Sequence, residues 1–404
     1  MRKTPIPTGW KRTALDLIAS VQTGIAKGKA INGETVDVPY LRVANVQDGH
    51  VDLSVMKEIT LKPTEVARYS LRAGDVLFTE GGDFDKLGRG TVWHGEIEPC
   101  LHQNHVFAVR PDTKRLLPEF LAYQAASEYG RRFFQISSKQ STNLASINST
   151  QLKEFPVLHP PLPEQRRIAE ILRTWDEALH ALTALRNAKA DALTALLQNL
   201  IGPDGGAQRN WKMTPLHELA TRIRRKNDGG DHPVMTISAK AGFLLQSDRY
   251  SRNMAGRSVE NYTILHEGEF AYNKGNSKTA PQGCIFVLDR PTALVPNVYI
   301  CFALNAELNR EFYGHLLAAG ALNHQLSRVI NSGVRNDGLL NLNAGDFFNC
   351  KLPLPPLTEQ KAIAAALTTA KQELTLIDRQ IAALTRQKRG LMQKLLTGEW
   401  RVRP

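Results

Sequence analysis

The sequence lacks the features that mark secreted, membrane and disulfide-rich proteins. Its four cysteines in 404 residues stand far apart without a Cys-x-x-Cys pair, so neither a zinc site nor a disulfide framework is indicated, and buried free thiols are expected. No run of about 18 uninterrupted apolar residues occurs, and the first residues do not form a secretory signal. We therefore expect a cytoplasmic protein without membrane association.

The sequence also lacks the motifs of common enzymes that use nucleotides or modify nucleic acids. It contains no Walker motif, no N-P-P-[FY] motif with a glycine-rich cofactor loop and no cluster of carboxylates, which disfavours a motor, a methyltransferase and a nuclease. The loop "TEGGDFDKLGRGT" at 79–91 is rich in glycine but lacks the G-x-x-x-x-G-K-[ST] spacing of a phosphate site. The prediction is a chain that catalyses nothing and holds neither a metal nor a cofactor.

The composition is that of a folded protein with an excess of positive charge. Hydrophobic residues make up 42% and charged residues 22%, which disfavours long disordered regions, and the length suits two or three domains. The net charge of +12 favours a polyanionic partner, although a merely basic, soluble protein is an alternative. Charge alone does not choose between the two.

A segment near the middle of the chain returns close to its end. The stretches "PPLPEQRRIAEIL" at 160–172 and "PPLTEQKAIAAAL" at 355–367 are identical at eight of thirteen positions. Upstream of each copy, "GWKRTALDLIA" at 9–19 resembles "NWKMTPLHELA" at 210–220. The chain is therefore an internal duplication in which a module of domain size precedes a helical segment twice.

Each module has the pattern of mixed α and β structure. Short β-branched or aromatic runs, such as "DVLFTE", "HVFAVR", "GCIFVLD" and "NVYICFAL", lie between turn-rich segments and predict strands. The segments "LPEFLAYQAASEYGRRFF" and "NREFYGHLLAAGALNHQL" predict helices.

The segments after the proline pairs show the heptad pattern of long pairing helices. Apolar residues recur at steps of three and four at Ile168, Leu172, Trp175, Leu179, Leu182, Leu193, Leu196 and Leu200, and at Ile363, Leu367, Ala370, Leu374, Ile377, Ile381, Leu384, Leu391 and Leu395. Charged residues interrupt this seam at Arg186, Lys189 and Lys388. At 1.5 Å per residue, about 38 residues give a helix of about 57 Å in each copy.

A single amphipathic helix would most simply pack on its own module, but two matched copies favour pairing. Because a module of about 150 residues is only about 40 Å across, it does not carry the chain back along such a helix, and antiparallel pairing is expected. The predicted fold is α+β: two globular mixed α/β domains separated by two long antiparallel helices, a coiled coil with a pseudo-two-fold internal repeat. The predicted boundaries are 1–155 (module 1), 156–203 (first helix), 204–350 (module 2) and 351–404 (second helix).

The repeated "PPLPEQ" and "PPLTEQ" starts, together with "GLMQKLLTGEWRV" at 390–402, resemble the specificity subunits of type I restriction-modification systems over nearly the whole chain. In module 1, "GDVLFTEGGDFDKLGRGTVW" and "CLHQNHVFAVRP" are similar to one recurring type of recognition domain in that family, whereas module 2 departs from it. The resemblance implies a non-catalytic subunit for phage defence that binds double-stranded DNA through two target-recognition domains. Because the two modules differ, the implied target is bipartite and asymmetric.

The resemblance further implies partners on the helices. Two methyltransferase subunits are expected there and, through the complex, restriction and translocase subunits; S-adenosylmethionine and ATP with Mg are then expected in those partners and not in this chain. The predicted partner-binding residues lie in the repeated helix starts: Glu164, Gln165, Ile168, Glu359, Gln360 and Ile363.

Polar loop residues are the predicted DNA contacts. They are Glu80, Asp83, Lys86, Arg89, Gln103, Asn104 and His105 in module 1, and Asn273, Lys274, Asn276, Lys278 and Arg335 in module 2. Lysine and arginine bind phosphates or guanine, a carboxylate accepts from the cytosine amino group, and an amide pairs with adenine. The alternative is a solvated turn, and Asn104, which has a counterpart in Asn297, is explained equally well as a residue that fixes a buried turn.

Two other functions stay open on the sequence alone. One is a single-chain DNA modification or cleavage enzyme with unrecognised motifs, and the other is a coiled-coil scaffold without DNA contacts. Methylation by the purified chain would identify the enzyme, and an absence of specific duplex binding would identify the scaffold.

Overall fold

The computed structural model describes residues 6–26, 33–82, 87–88, 90–140, 145–202, 210–249, 256–275, 279–330 and 339–402. The chain forms two compact units. Unit 1 comprises residues 1–183 and 379–404, and unit 2 comprises residues 184–378. In the described part of the chain, no helix is both long and apolar enough to cross a membrane.

Unit 1 is built around an antiparallel sheet in the order β2-β9-β5-β7. The strands are β1 (Lys11–Ala14), β2 (Ala19–Thr23), β3 (Val36–Leu41), β4 (Lys57–Leu61), β5 (Val76–Thr79), β6 (Gly81–Gly82), β7 (Gly90–Val92), β8 (Leu101–His102), β9 (Val106–Pro111), β10 (Lys139–Gln140), β11 (Ala145–Ser146) and β12 (Pro156–His159). The helices are α1 (Pro63–Tyr69), α2 (Pro118–Ala126), α3 (Glu128–Ser137), α4 (Ser149–Lys153) and α5 (Leu162–Ile201), which belongs to this unit as far as Thr183. Smaller sheets have the orders β4-β3-β8, β10-β11-β6 and β1-β12.

Unit 2 has a central sheet in the order β14-β21-β18-β19. Its strands are β13 (Lys212–Pro215), β14 (Ala220–Ile223), β15 (Met235–Ser238), β16 (Gly242–Leu245), β17 (Thr263–His266), β18 (Phe270–Asn273), β19 (Cys284–Val287), β20 (Thr292–Val295), β21 (Ile300–Leu304) and β22 (Lys351–Leu354). Its helices are α6 (Leu216–Leu219), α7 (Gln246–Arg249), α8 (Arg310–Ala318), α9 (Asn323–Val329), α10 (Ala344–Asn349) and α11 (Leu357–Leu396), which belongs to this unit as far as Asp378. Two-stranded sheets pair β13 with β22, β15 with β16, and β17 with β20.

The two central sheets have the same order of strands, and in each unit the first strand pairs antiparallel with the strand before the long helix. The predicted strands lie at the centre: all four residues of β5 are buried, as are the apolar residues of β9 that pair with it. Apolar runs of this kind form strands that are covered on both faces. The duplication inferred from sequence is therefore a duplication of the fold.

The long helices follow the predicted heptad seam. Each has 40 residues, and every residue predicted for the seam is buried or half-buried. The charges that interrupt the seam bind the facing helix: in unit 2, Arg186 lies 3.1 Å from Asp378 and Lys189 lies 2.7 Å from Glu373. From the first pair to the second, the residue number rises in α5 and falls in α11. The two helix segments of this unit therefore run antiparallel, as predicted.

Each helix contributes to two cores, so the alternative that a helix packs only on its own module is wrong. The start of α5 enters the core of unit 1 through Ile168 and Leu172, and the end of α11 enters the same core through Leu395. In unit 2, the end of α5 and the start of α11 contribute Ile201 and Ile363 in the same way.

The cysteines are free thiols, as expected. Cys100, Cys301 and Cys350 are buried, whereas Cys284 is half-buried. Burial raises the pKa of Cys100 and of Cys301 to about 12, so their nucleophilic thiolate forms are negligible at neutral pH.

Candidate nucleic-acid interface

The predicted DNA contacts divide into residues that the structure describes and residues that it does not. Glu80, Gln103, Asn104, His105, Asn273 and Lys274 are described. Asp83, Lys86, Arg89, Asn276, Lys278 and Arg335 lie outside the described residues, so their DNA contacts stay predictions.

In module 1, the structure brings Glu80 and His105 together. Glu80 follows the last residue of β5, and His105 immediately precedes β9, the strand that pairs with it. The backbone N–H of Glu80 donates to the carbonyl of His105 at 2.9 Å, and the imidazole Nδ1 is hydrogen-bonded to the Glu80 carboxylate. The His105 side chain is 52% exposed and the Glu80 side chain 30% exposed, so this pair presents polar atoms to solvent.

A tight turn from Gln103 to Val106 carries His105. The N–H of Val106 donates to the carbonyl of Gln103 at 2.8 Å, and the fully buried imidazole of His102 donates from Nδ1 to the carbonyl of Val106 at 2.7 Å. Burial lowers the pKa of His102, so this imidazole is neutral at pH 7. Gly24 is required beside the turn, because a Cβ there would lie 2.1 Å from the carbonyl oxygen of His102.

The side chains of Gln103 and Asn104 are half-buried on this turn. Their backbone N–H groups donate to the carbonyls of Leu41 and Ile25, respectively. The turn is thus fixed through its main chain.

In module 2, Asn273 and Lys274 lie at the corresponding strand end. The Asn273 amide donates to the carbonyl of Ile237 at 3.1 Å, and its oxygen accepts from the N–H of Gly275 at 2.9 Å. The amide of Asn273 therefore stabilises the end of β18. Lys274, the next residue, is half-buried.

The repeated helix starts form buried joints between module and helix. Gln165 is fully buried; its oxygen accepts from the N–H of Leu117 at 2.9 Å, and its nitrogen donates to the carbonyls of Arg115 and Pro160 at 2.9 and 2.8 Å. We call Glu164 and Gln165, with the groups that they bind, joint 1.

Joint 2 consists of Glu359 and Gln360 with the groups that they bind, and it repeats this geometry. Gln360 is 1% exposed, accepts from the N–H of Asn309 at 2.9 Å and donates to the carbonyl of Pro355 at 2.9 Å. Leu117 and Asn309 each precede a module helix, α2 or α8, so each glutamine orients that helix on the long one.

The glutamates of the two joints differ. Glu164 is 4% exposed and accepts two hydrogen bonds from the Arg401 guanidinium, at 2.8 and 2.9 Å. Glu359 instead accepts from the indole N–H of Trp211 at 3.1 Å. Since Ile168 and Ile363 lie in the cores as well, five of the six predicted partner-binding side chains are buried within their own unit, and their role in docking stays a prediction.

Sequence reasoning missed several residues that complete these sites. Arg401 lies inside the "GEWRV" end that carried the resemblance, but nothing in the spacing pairs it with Glu164. Asp176 binds both the Tyr123 hydroxyl, at 2.8 Å, and the Lys388 ammonium in unit 1. An antiparallel register drawn from the seam would have placed Asp176 opposite Lys388, so that pair could have been found.

Comparison with known proteins agrees with this architecture. The family described as "Type I restriction modification DNA specificity domain" matches residues 7–190 and 209–386. A type I restriction enzyme specificity subunit of Methanocaldococcus jannaschii is 22% identical over 424 residues, covering 98% of this chain and 95% of that protein.

Two solved structures share the fold. The type I restriction-modification S subunit from M. genitalium is 14% identical, with a TM-score of 0.56, and covers 98% of this chain and 97% of its own. A chain from a structural study of complex assembly and conformational transition of the type I R-M system is 17% identical, with a TM-score of 0.58, and covers 98% of this chain and 100% of its own.

The duplicated fold, the paired helix starts and two family matches that span most of both halves agree with one another. The chain therefore belongs to the family of type I restriction-modification DNA specificity subunits, the non-catalytic recognition components of these systems.

Proposed function

We propose that this chain reads a bipartite, asymmetric target in double-stranded DNA, with module 1 setting one half-site and module 2 the other. The observation that carries the proposal is a shared scaffold with different surface chemistry. The central sheets have the same strand order, yet the strand end that presents Glu80 and His105 in module 1 presents Lys274 and Val298 in module 2. Two readers of different chemistry select two different base sequences.

The helix starts are the second part of the proposal: they dock two methyltransferase subunits, one at each repeat. The six predicted residues, Glu164, Gln165, Ile168, Glu359, Gln360 and Ile363, hold each first turn in place. The docking atoms then come from exposed neighbours on the same turns, such as Arg166 and Lys361. A joint that is built twice offers a partner two similar surfaces.

Through these subunits the chain joins a complex in the cytoplasm that also contains restriction and translocase subunits. We assign S-adenosylmethionine to the methyltransferase partners, and ATP with Mg to the translocase. The part of this chain that the structure describes contains no group of three His, Cys, Asp or Glu side chains placed to hold a metal.

The proposal is tested by reading methylated motifs in cells that express the chain with its methyltransferase. Replacing residues 1–155 with the module of another family member should change one half-site and leave the other. A change in both half-sites would contradict modular reading. The purified chain alone, given S-adenosylmethionine, should methylate nothing, because the rival single-chain enzyme would act without a partner.

Docking has a separate test by native mass spectrometry of the chain with excess methyltransferase. Two copies are expected. A complex that saturates at one copy would contradict docking at both repeats.

A further inference from the structure

In both modules a charged residue follows the same central strand and makes the same kind of backbone hydrogen bond. In module 1, the carbonyl of Glu80 accepts from the N–H of Ile147 at 2.8 Å. In module 2, the carbonyl of Lys274 accepts from the N–H of Leu340 at 2.9 Å. Each acceptor directly follows its central strand, β5 or β18. Glu80 and Lys274 are therefore equivalent positions.

A second pair of positions is equivalent because the same turn leads into the neighbouring strand. The N–H of Val106 donates to the carbonyl of Gln103, and the N–H of Tyr299 donates to the carbonyl of Pro296 at 3.0 Å. β9 pairs with β5, and β21 pairs with β18. Val106 and Tyr299 are the last residues of these turns. The residue directly before them is His105 in module 1 and Val298 in module 2.

The side chains at these two positions have opposite chemistry. Module 1 has a carboxylate bound to an imidazole, with 30% and 52% of the side chains exposed. Module 2 has the half-buried Lys274 and an apolar side chain, Val298, that is 39% exposed. The scaffold is kept while the sign of the charge is reversed, as expected where two readers must prefer different bases.

Resting on the proposed function, we propose that these two positions determine specificity in each module. Glu80, oriented by the His105 imidazole, accepts a hydrogen bond from the exocyclic amino group of a cytosine in the first half-site. Lys274 donates to the O6 and N7 acceptors of a guanine in the second half-site, and Val298 contacts the methyl group of an adjacent thymine. A carboxylate accepts from cytosine N4, a lysine donates to guanine, and an apolar side chain fits the thymine methyl.

A carboxylate in this place selects bases rather than adding general affinity. It repels phosphates, so its approach to DNA is favourable only where a base supplies a donor. Lys274 lacks this restriction, and its loss should weaken binding as well as specificity.

The test uses the full chain assembled with its methyltransferase, and it reads the methylated motif together with binding to duplexes that differ at one base. Glu80→Gln, which keeps the shape of the side chain, should lower discrimination at one position of the first half-site about 5- to 150-fold. The double exchange Glu80→Lys with His105→Val should convert that position from cytosine to guanine. Lys274→Met should relax one guanine in the second half-site only. Glu58→Gln, at an exposed carboxylate on β4, is the matched control and should leave the motif unchanged.

The outcomes separate this inference from the proposed function. A wild-type assembly without a bipartite motif would refute the proposed function itself. A wild-type motif that Glu80→Gln and Lys274→Met leave unaltered at every base would overturn the inference alone. Binding that weakens equally on all duplexes, with folding intact by hydrogen exchange, would also overturn it, because that pattern belongs to a phosphate contact.

Discussion

Joint 1 and joint 2 perform the same task with different partners for the same glutamate. In joint 2, Glu359 satisfies the indole N–H of Trp211. In joint 1, the guanidinium of Arg401 holds Glu164, and the indole N–H of Trp10 is buried without a hydrogen-bond partner among the described residues. The Trp10 ring lies under Arg401, 5.9 Å from its guanidinium carbon.

The difference teaches that the glutamine, and not the glutamate, is the common element of the joint. Both glutamines accept from the residue before a module helix and donate to the carbonyl five residues back. The tryptophans also keep one contact, since each packs edge-on against a phenylalanine of that helix, with ring centroids 6.3 and 6.1 Å apart. The glutamate is free to take a different partner in each unit.

Removing the glutamines should have the largest effect, in both units. Gln165→Ala removes three hydrogen bonds to backbone groups and should cost about 3 kcal/mol in unit 1, whereas Gln360→Ala removes two and should cost about 2 kcal/mol in unit 2. Hydrogen exchange at the Leu117 and Asn309 amides measures each loss locally. Gln198→Ala, at an exposed position on α5, is the control. Equal exchange in all three variants would show that Gln165 and Gln360 do not stabilise the joints.

Arg401→Met should affect unit 1 alone. It leaves the buried Glu164 carboxylate without its cation, at a cost of about 2 kcal/mol, less than for a fully buried pair because Arg401 is 42% exposed. Adding Glu164→Gln should recover part of the loss, because a neutral amide needs no cation and its oxygen can accept from Trp10. Hydrogen exchange of unit 1 peptides checks both variants. Arg386→Met, at an exposed position on α11, should change little, and a matching loss there would contradict the argument.

A smaller, acid-dependent effect is expected in unit 2. His315 donates from Nε2 to Thr368 at 2.9 Å, and its Nδ1 accepts from the Lys371 ammonium at 2.8 Å. Burial and then Lys371 lower the pKa of His315 to about 4, although Glu311 opposes this shift. Between these pH values the imidazole of His315 is protonated in the unfolded chain but not in the folded unit. The stability of unit 2 should therefore fall as the pH drops from about 6.5 to about 4.

This effect is measured by hydrogen exchange of unit 2 at pH 7 and pH 5. His315→Gln should reduce the loss of protection between the two values, whereas His324→Gln, at an exposed histidine of the same unit, should not. Burial also lowers the pKa of His102 in unit 1, so unit 1 should lose protection in acid as well, and His315→Gln should leave that loss unchanged. An unchanged acid dependence in His315→Gln would show that another group is responsible.

The ion pairs between the long helices should have the smallest effects, and these should follow burial. Lys388, which pairs with Asp176, is 16% exposed, whereas Lys189, which pairs with Glu373, is 44% exposed. Lys388→Met should cost about 1 kcal/mol and Lys189→Met less than about 0.5 kcal/mol. Urea unfolding at low and high salt tests this, since only the exposed pair should lose its effect in salt. A larger cost at Lys189 would contradict the order.

The sequence predicted what depends on periodicity and repetition. The seam from Ile168 onwards, the strand "DVLFTE" and the helical segment of each module all follow from local patterns of apolar residues, because burial in the core stabilises such patterns. The structure divides each helical segment into two helices, which the patterns did not predict. The burial of Gln165 and its hydrogen bonds could not be predicted in this way. A glutamine in a first helical turn is ordinarily solvated, and only the tertiary approach of Leu117 and Arg115 makes it a buried clamp.

The candidate interface was predictable only as residue types in loops. Glu80 and His105 were named separately; they are 25 positions apart in the chain, and their contact depends on the pairing of β5 with β9. The DNA contact predicted for Asn273 stays a prediction. In the structure its amide bonds the strand end, because an asparagine readily satisfies nearby backbone groups.

The order in which the chain is synthesised gives the Arg401 contact a further meaning. Unit 2 is continuous, but unit 1 needs residues 379–404 to complete its core. Arg401 also donates to the carbonyl of Thr8 at 2.7 Å, and Thr8 precedes β1 in the chain. At roughly 5–20 residues per second, translation of the intervening unit takes about 10–40 s. Module 1 is thus translated before module 2 but completes its core after it. A nascent chain that terminates before the end of α11 would have an incomplete core in module 1 and would be open to proteolysis.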